Sequence, residues 1–155
     1  MDSLEGKKAP AFALEGSDGE KHAIKEYLGK RVVIYFYPRD NTPGCTKESC
    51  GFRDLDAEIN DLNTVVLGVS KDSLKSHDKF IADFNLPFVL LSDPETKMMA
   101  KYGAWGEKVL YGKTSVGCIR STVIIDEKGQ IIKHWRKVPK AEAHPAKVLE
   151  FLQSL

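Results

Sequence analysis

Cysteine is scarce in this chain and odd in number: Cys45, Cys50 and Cys118 are the three present. Without a signal peptide, that count argues against the paired disulfide framework of a small secreted domain. No Cys-x-x-Cys pair occurs, and the four histidines, His22, His77, His134 and His144, are dispersed without i, i+4 pairing, which argues against a zinc site. A Cys-x4-Cys spacing with one further cysteine falls short of the four thiolates an iron–sulfur cluster needs. A zinc site and an iron–sulfur cluster are thereby disfavoured, and the thiols are left to be either reactive or inert.

Charge of one sign is also missing. Lys and Arg number 23 against 22 Asp and Glu, and the signs are interspersed, so no electrostatic footprint for nucleic acid or anionic lipid is present. Long hydrophobic runs are absent as well. MDSLEGKKAP has no apolar core, and no stretch approaches the roughly 20 residues that span a bilayer. The expectation is a soluble cytoplasmic protein. With 42% hydrophobic and 29% charged residues, 155 positions suffice for one domain spanning residues 1–155 with a continuous core.

What is present alternates. RVVIYFY (31–37), TVVLGVS (64–70), FVLLSD (88–93) and STVIID (121–126) are short β-branched runs suited to strands buried on both faces. Helical periodicity occupies 43–62, 73–84, 94–102 and 141–153, and IIKHW reads as a strand returning through the Asp126–Gly129 turn. Phe12 to Leu14 and residues 20–24 flank a Gly16–Gly19 turn as a small hairpin. The order implies an α/β layered domain, a central sheet flanked by helices. Thr42-Pro43 and Asp93-Pro94 each combine an N-cap residue with proline at the first helical position. Gly103 to Gly117 contains four glycines and no clean period, and reads as a long surface loop.

The chemistry concentrates in YFYPRDNTPGCTKESCGFRD. With Thr42 as N-cap, Cys45 falls in the first helical turn, where unpaired N–H groups and the helix dipole stabilise a thiolate. Phe52, Leu55, Ile59 and Leu62 form an apolar stripe that Cys45, seven residues before Phe52, shares. Cys50 lies five residues on, about 140° around the helix, so it projects from another face. An ideal helix separates the two Cα atoms by about 8.6 Å, beyond the roughly 7 Å limit for a disulfide, so joining them requires the first turns to open.

Pro38, Thr42 and Cys45 match the Pro-x-x-x-Thr-x-x-Cys motif of peroxiredoxins, and Cys50 five residues after Cys45 resembles the bacterioferritin comigratory protein, or peroxiredoxin Q, subfamily. The likeness runs from KKAPAFAL through YGAWGEKVLYGKTSVGCIRSTVIIDEKG. It implies a thioredoxin-like fold with peroxiredoxin N-terminal additions. It also implies Cys45 as the peroxidatic residue, Cys50 as the resolving one, Thr42 as the hydroxyl that positions peroxide and Arg120 as the cation beside the thiolate. Cys118 matches no catalytic position, and the implied reaction needs no metal, haem or flavin. The implied reductant is thioredoxin or glutaredoxin, and the implied state a monomer, because resolution within one chain needs no second copy.

Two other functions compete. A protein thiol–disulfide oxidoreductase would fit a thioredoxin-like fold but normally carries Cys-x-x-Cys. A non-enzymatic holdase would need an exposed apolar or methionine-rich stripe, and none is evident. On the residues alone, Thr42 serves equally as a simple N-cap, Pro38 as a strand terminator and Arg120 as a surface charge.

Overall fold

The computed structural model describes residues 3–155; residues 1 and 2 lie outside the described residues. Its elements run in the order β1 (Ala13–Glu15), β2 (Lys21–Ala23), a 3-10 turn (Ile24–Tyr27), β3 (Arg31–Phe36), α1 (Pro43–Asn60), β4 (Thr64–Ser70), α2 (Leu74–Phe84) and β5 (Val89–Ser92). There follow α3 (Lys97–Lys101), β6 (Trp105–Leu110), β7 (Lys113–Cys118), β8 (Ser121–Ile125), β9 (Ile131–Trp135) and α4 (His144–Gln153). The central sheet has the strand order β5-β4-β3-β8-β9. The pairs β3–β4 and β4–β5 are parallel, each joined by a helical crossover, and β3–β8 and β8–β9 are antiparallel.

Strand periodicity divides the core in two. Val33, Tyr35 and Tyr37 point to the face covered by α1, α2 and α4, where they meet Phe52, Ile59, Phe80, Val148 and Leu152. Val32, Ile34 and Phe36 point to the opposite face, against Met98, Met99 and Tyr102 around α3 and Leu4, Ala9 and Phe12 of the N-terminal segment. The apolar runs are continuous because both faces are covered.

Three expectations change in detail. Gly103–Gly117 is not a loop: β6 and β7 form an antiparallel hairpin in register Leu110↔Lys113, closed by Tyr111 and Gly112 at φ 53° and 76°. Both turn residues lie in the left-handed region, the signature of a tight type I′ hairpin. Its strands escaped the pattern because Lys113, Thr114, Ser115 and Val116 are all exposed, so no buried face imposes alternation. The helix expected from Pro94 begins at Lys97 instead. Asp93 still caps it from a distance, its carboxylate accepting from the Met99 N–H at 2.9 Å. The last helix starts at His144 rather than 141. Among the described residues, no helix is long and apolar enough to cross a membrane.

The packing of α4 on α1 positions the later site. A Cβ on Gly51 would lie 2.7 Å from Pro145 Cγ, so only glycine allows this approach one residue after Cys50. His144 packs edge-on to Phe52 and Trp135, and its Nε2 meets Thr122 Oγ1 at 2.8 Å. Burial, aided by Lys147 and Arg120, pushes the imidazole down to about 4. A histidine with a depressed folded pKa contributes stability that is fully present above its ordinary 6.5 and is lost as pH falls toward 4. Urea unfolding should therefore show the stability advantage of the wild type over His144→Asn shrinking by about 3 kcal/mol between pH 7 and pH 4. An equal difference at both pH values would mean that His144 does not titrate this way.

Candidate active site

Strand β3, at the centre of the sheet, ends just before the buried Tyr37, and residues 38–42 turn the chain into α1. Pro38 opens this connection in the trans form, half-buried, and Asn41 bends it at φ 61°. Thr42 occupies the N-cap position in extended backbone geometry, and its carbonyl accepts the first helical bond from Thr46 N–H at 2.8 Å. Its hydroxyl does not cap the helix, contrary to the simple N-cap reading, and instead donates to Arg39 O at 2.8 Å. The N–H groups of Gly44 and Cys45 therefore stay at the open end of the helix dipole.

Cys45 is 1% exposed, on the buried stripe with Phe52 and Ile59. Arg120, in the two-residue connection between β7 and β8, reaches over the helix start and places Nη2 3.2 Å from Cys45 Sγ. A side chain on Gly44 would press on this guanidinium, because a Cβ there lies 3.2 Å from Nη2. An open groove of about 700 Å³ is lined by Gly44, Lys47, Arg120 and the 139–143 segment. The sequence offered no local sign that Arg120 faces inward, and it lies 75 residues from Cys45 along the chain.

Cys50 is brought to a different place. It is half-buried on the other side of α1, and all three thiols are free. Cys118 ends β7, buried, and burial pushes its thiol up to about 12, which keeps it neutral.

Two buried groups were missed by sequence reasoning. Glu48 is fully buried; its Oε1 accepts from Arg120 Nη1 at 2.8 Å and its Oε2 has no partner. Burial outweighs the pull of Arg120 and pushes this carboxyl up to about 7. The signal was available, since positions 45, 48, 52, 55 and 59 share one helical face and a charge on an apolar stripe must be paired. Asp40 is the second. Its carboxylate accepts from Tyr37 Oη at 2.6 Å and Ser76 Oγ at 2.8 Å and pairs with His77 Nδ1 at 2.7 Å, while its backbone N–H donates to Asp72 at 2.8 Å. His77 Nε2 reaches Leu91 O at 3.0 Å. This network ties the 38–42 connection to α2 and β5, and nothing in the local sequence announces it.

Residues 5–134 match the AhpC/TSA family model. The chain belongs to that family. It is 45% identical over 150 residues to peroxiredoxin Bcp of Bacillus subtilis strain 168, covering 97% of this chain and 95% of that protein. Its fold superposes on Xanthomonas campestris peroxiredoxin Q with a TM-score of 0.86 at 39% identity, covering 92% of this chain and 90% of that one. The BcpB peroxidoxin of Mycobacterium tuberculosis gives a TM-score of 0.87 at 30% identity over 99% of both chains. A further Xanthomonas structure, of the bacterioferritin comigratory protein, is described for its alkyl peroxide reduction activity, with a TM-score of 0.86 and 38% identity over 92% of this chain and 90% of that one. The fold is thus thioredoxin-like with the peroxiredoxin additions, and the chain is a thiol-dependent peroxidase of the oxidoreductase class, taking peroxide and a thiol reductant.

The buried Asp40 network makes a direct demand on stability. Asp40→Ala leaves His77, Ser76 and Tyr37 without their acceptor and should cost about 3–5 kcal/mol in urea unfolding. A loss below about 1 kcal/mol would show that the connection is held by other contacts.

Proposed function

We propose that Cys45 reduces hydrogen peroxide and organic hydroperoxides and that Cys50 resolves the product within the same chain. The observation that carries this reading is the 3.2 Å contact between Arg120 Nη2 and Cys45 Sγ at the head of α1. The guanidinium and the open helix end both place positive potential beside the sulfur. Thr42, its proton committed to Arg39 O, keeps an oxygen lone pair to accept the peroxide O–H and orient it. Pro38 fixes the start of the connection that carries Thr42.

Cys45 Sγ attacks the terminal peroxide oxygen; the S–O bond forms as the O–O bond breaks, and the departing oxygen takes a proton to leave as water or alcohol. Arg120 and the Cys45 N–H stabilise the charge that develops on the peroxide oxygens during this displacement. Cys45 is left two electrons oxidised, as a sulfenic acid. The Cys50 thiol then attacks that sulfur, forming the disulfide and releasing water. An external dithiol protein, thioredoxin or glutaredoxin, exchanges with the disulfide and restores both thiols. Resolution inside one chain is compatible with a monomer working in the cytoplasm. The alkyl peroxide activity of the Xanthomonas relative supports the inclusion of organic substrates.

The decisive experiment pairs peroxide consumption with peptide mapping. Reduced wild type should consume one equivalent of peroxide within seconds and yield a Cys45–Cys50 disulfide. Cys45→Ser should lose all but a few per cent of the activity, and Cys50→Ser should react once, accumulate the sulfenic acid and overoxidise. Undiminished turnover of Cys50→Ser with thioredoxin would remove Cys50 as the resolving residue.

A further inference from the structure

Resting on the reading of Cys45 and Cys50 above, one buried group in α1 is unused by the peroxide chemistry. Glu48 lies between the two cysteines, inside the turns that must open for them to meet. In the closed helix it is shut away from water with one oxygen on Arg120 and the other on nothing. A carboxylate buried with half its hydrogen-bonding capacity unmet favours its neutral form, whereas the same group in water favours the anion. Opening residues 43–50 breaks the Arg120 contacts and the Tyr35–Ser49 hydrogen bond at 2.8 Å, and delivers Glu48 to solvent.

We propose that Glu48 is a positioning residue for the resolving step, one that couples the opening of α1 to release of its own proton and so makes resolution faster as pH rises across the acid-to-neutral range. The closed carboxyl stands at about 7 against an ordinary 4.5. A group whose folded value is raised contributes stability to the closed form that is complete below 4.5 and is lost as pH rises through about 7. Opening is therefore held back in acid and eased at neutral pH.

The titratable groups that feel Glu48 or its partner Arg120 do not mimic this titration. Tyr35 of β3 is held well above the ordinary tyrosine range by burial, Cys118 of β7 stands at about 12 and His144 of α4 at about 4. Arg120 remains a cation throughout. Cys45, one turn back on α1, is already a sulfenic acid at this stage in both the wild type and the Glu48 variant.

The test compares wild type with Glu48→Gln, an amide of the same shape that imitates the protonated acid and cannot lose the proton. After one equivalent of peroxide, the rate of Cys45–Cys50 disulfide formation is followed by quenched peptide mapping between pH 5 and pH 7.5. The wild-type to variant ratio should rise by at least about tenfold across that range, the two proteins converging near pH 5. At pH 7.5 under excess peroxide the variant should overoxidise more than the wild type. A flat ratio, with the disulfide forming in both proteins, overturns the role of Glu48 and leaves the two-cysteine reading standing. Absence of the disulfide from the wild type overturns both. If Glu48→Gln folds poorly, infrared difference spectra of wild type at pH 6 give a second readout. Oxidation to the disulfide should abolish one protonated-carboxyl band, and its persistence would overturn the proposal.

Discussion

Cys45 and Cys50 belong to one unbroken helix, Pro43–Asn60, and a helix holds positions five apart on different faces at a separation no disulfide spans. Much of the surrounding structure can be understood as living with this constraint. The helix is long enough to be anchored at its far end by Phe52 and Ile59 against β3 while its first two turns depend on a few polar contacts: Arg120 on Cys45 and Glu48, and Tyr35 on Ser49. Gly51, pressed on Pro145, sits at the boundary between the two parts. The two ends of one element are thus held by different kinds of contact.

Electrostatics sharpens that unevenness. One guanidinium serves two buried acids, the Cys45 sulfur and the Glu48 carboxyl, and half of the Glu48 hydrogen-bonding capacity is unmet. A buried charge without full compensation destabilises the state that buries it. A Glu48 carboxylate would therefore be penalised in the closed helix and relieved in an open one. The Asp40 network works in the opposite direction, fastening the connection that carries Thr42 to α2 and β5. It supplies a fixed post on one side of the segment that opens.

The legible parts of the molecule were those under strong local constraint. The β3 and β4 runs declared themselves because both sheet faces are covered, and α1 because its stripe, N-cap and Pro43 agree. Cys45 was readable from its place at the helix start. Arg120 was not, because the β7–β8 connection brings it across 75 residues and its own neighbourhood resembles a surface charge; only the family resemblance pointed to it. Glu48 left a trace as a charge on an apolar stripe, and Asp40 left none. The 103–117 stretch misled because a hairpin exposed on both faces lacks the alternation that marks half-buried strands.

If Cys45 and Cys50 join, α1 has to give way. Backbone amide exchange, compared between the reduced protein and the form with a verified Cys45–Cys50 disulfide, tests this directly. Residues 43–56 should exchange markedly faster in the disulfide form, with strands 31–36 and 64–70 unchanged. Equal protection of 43–56 in both forms would contradict it.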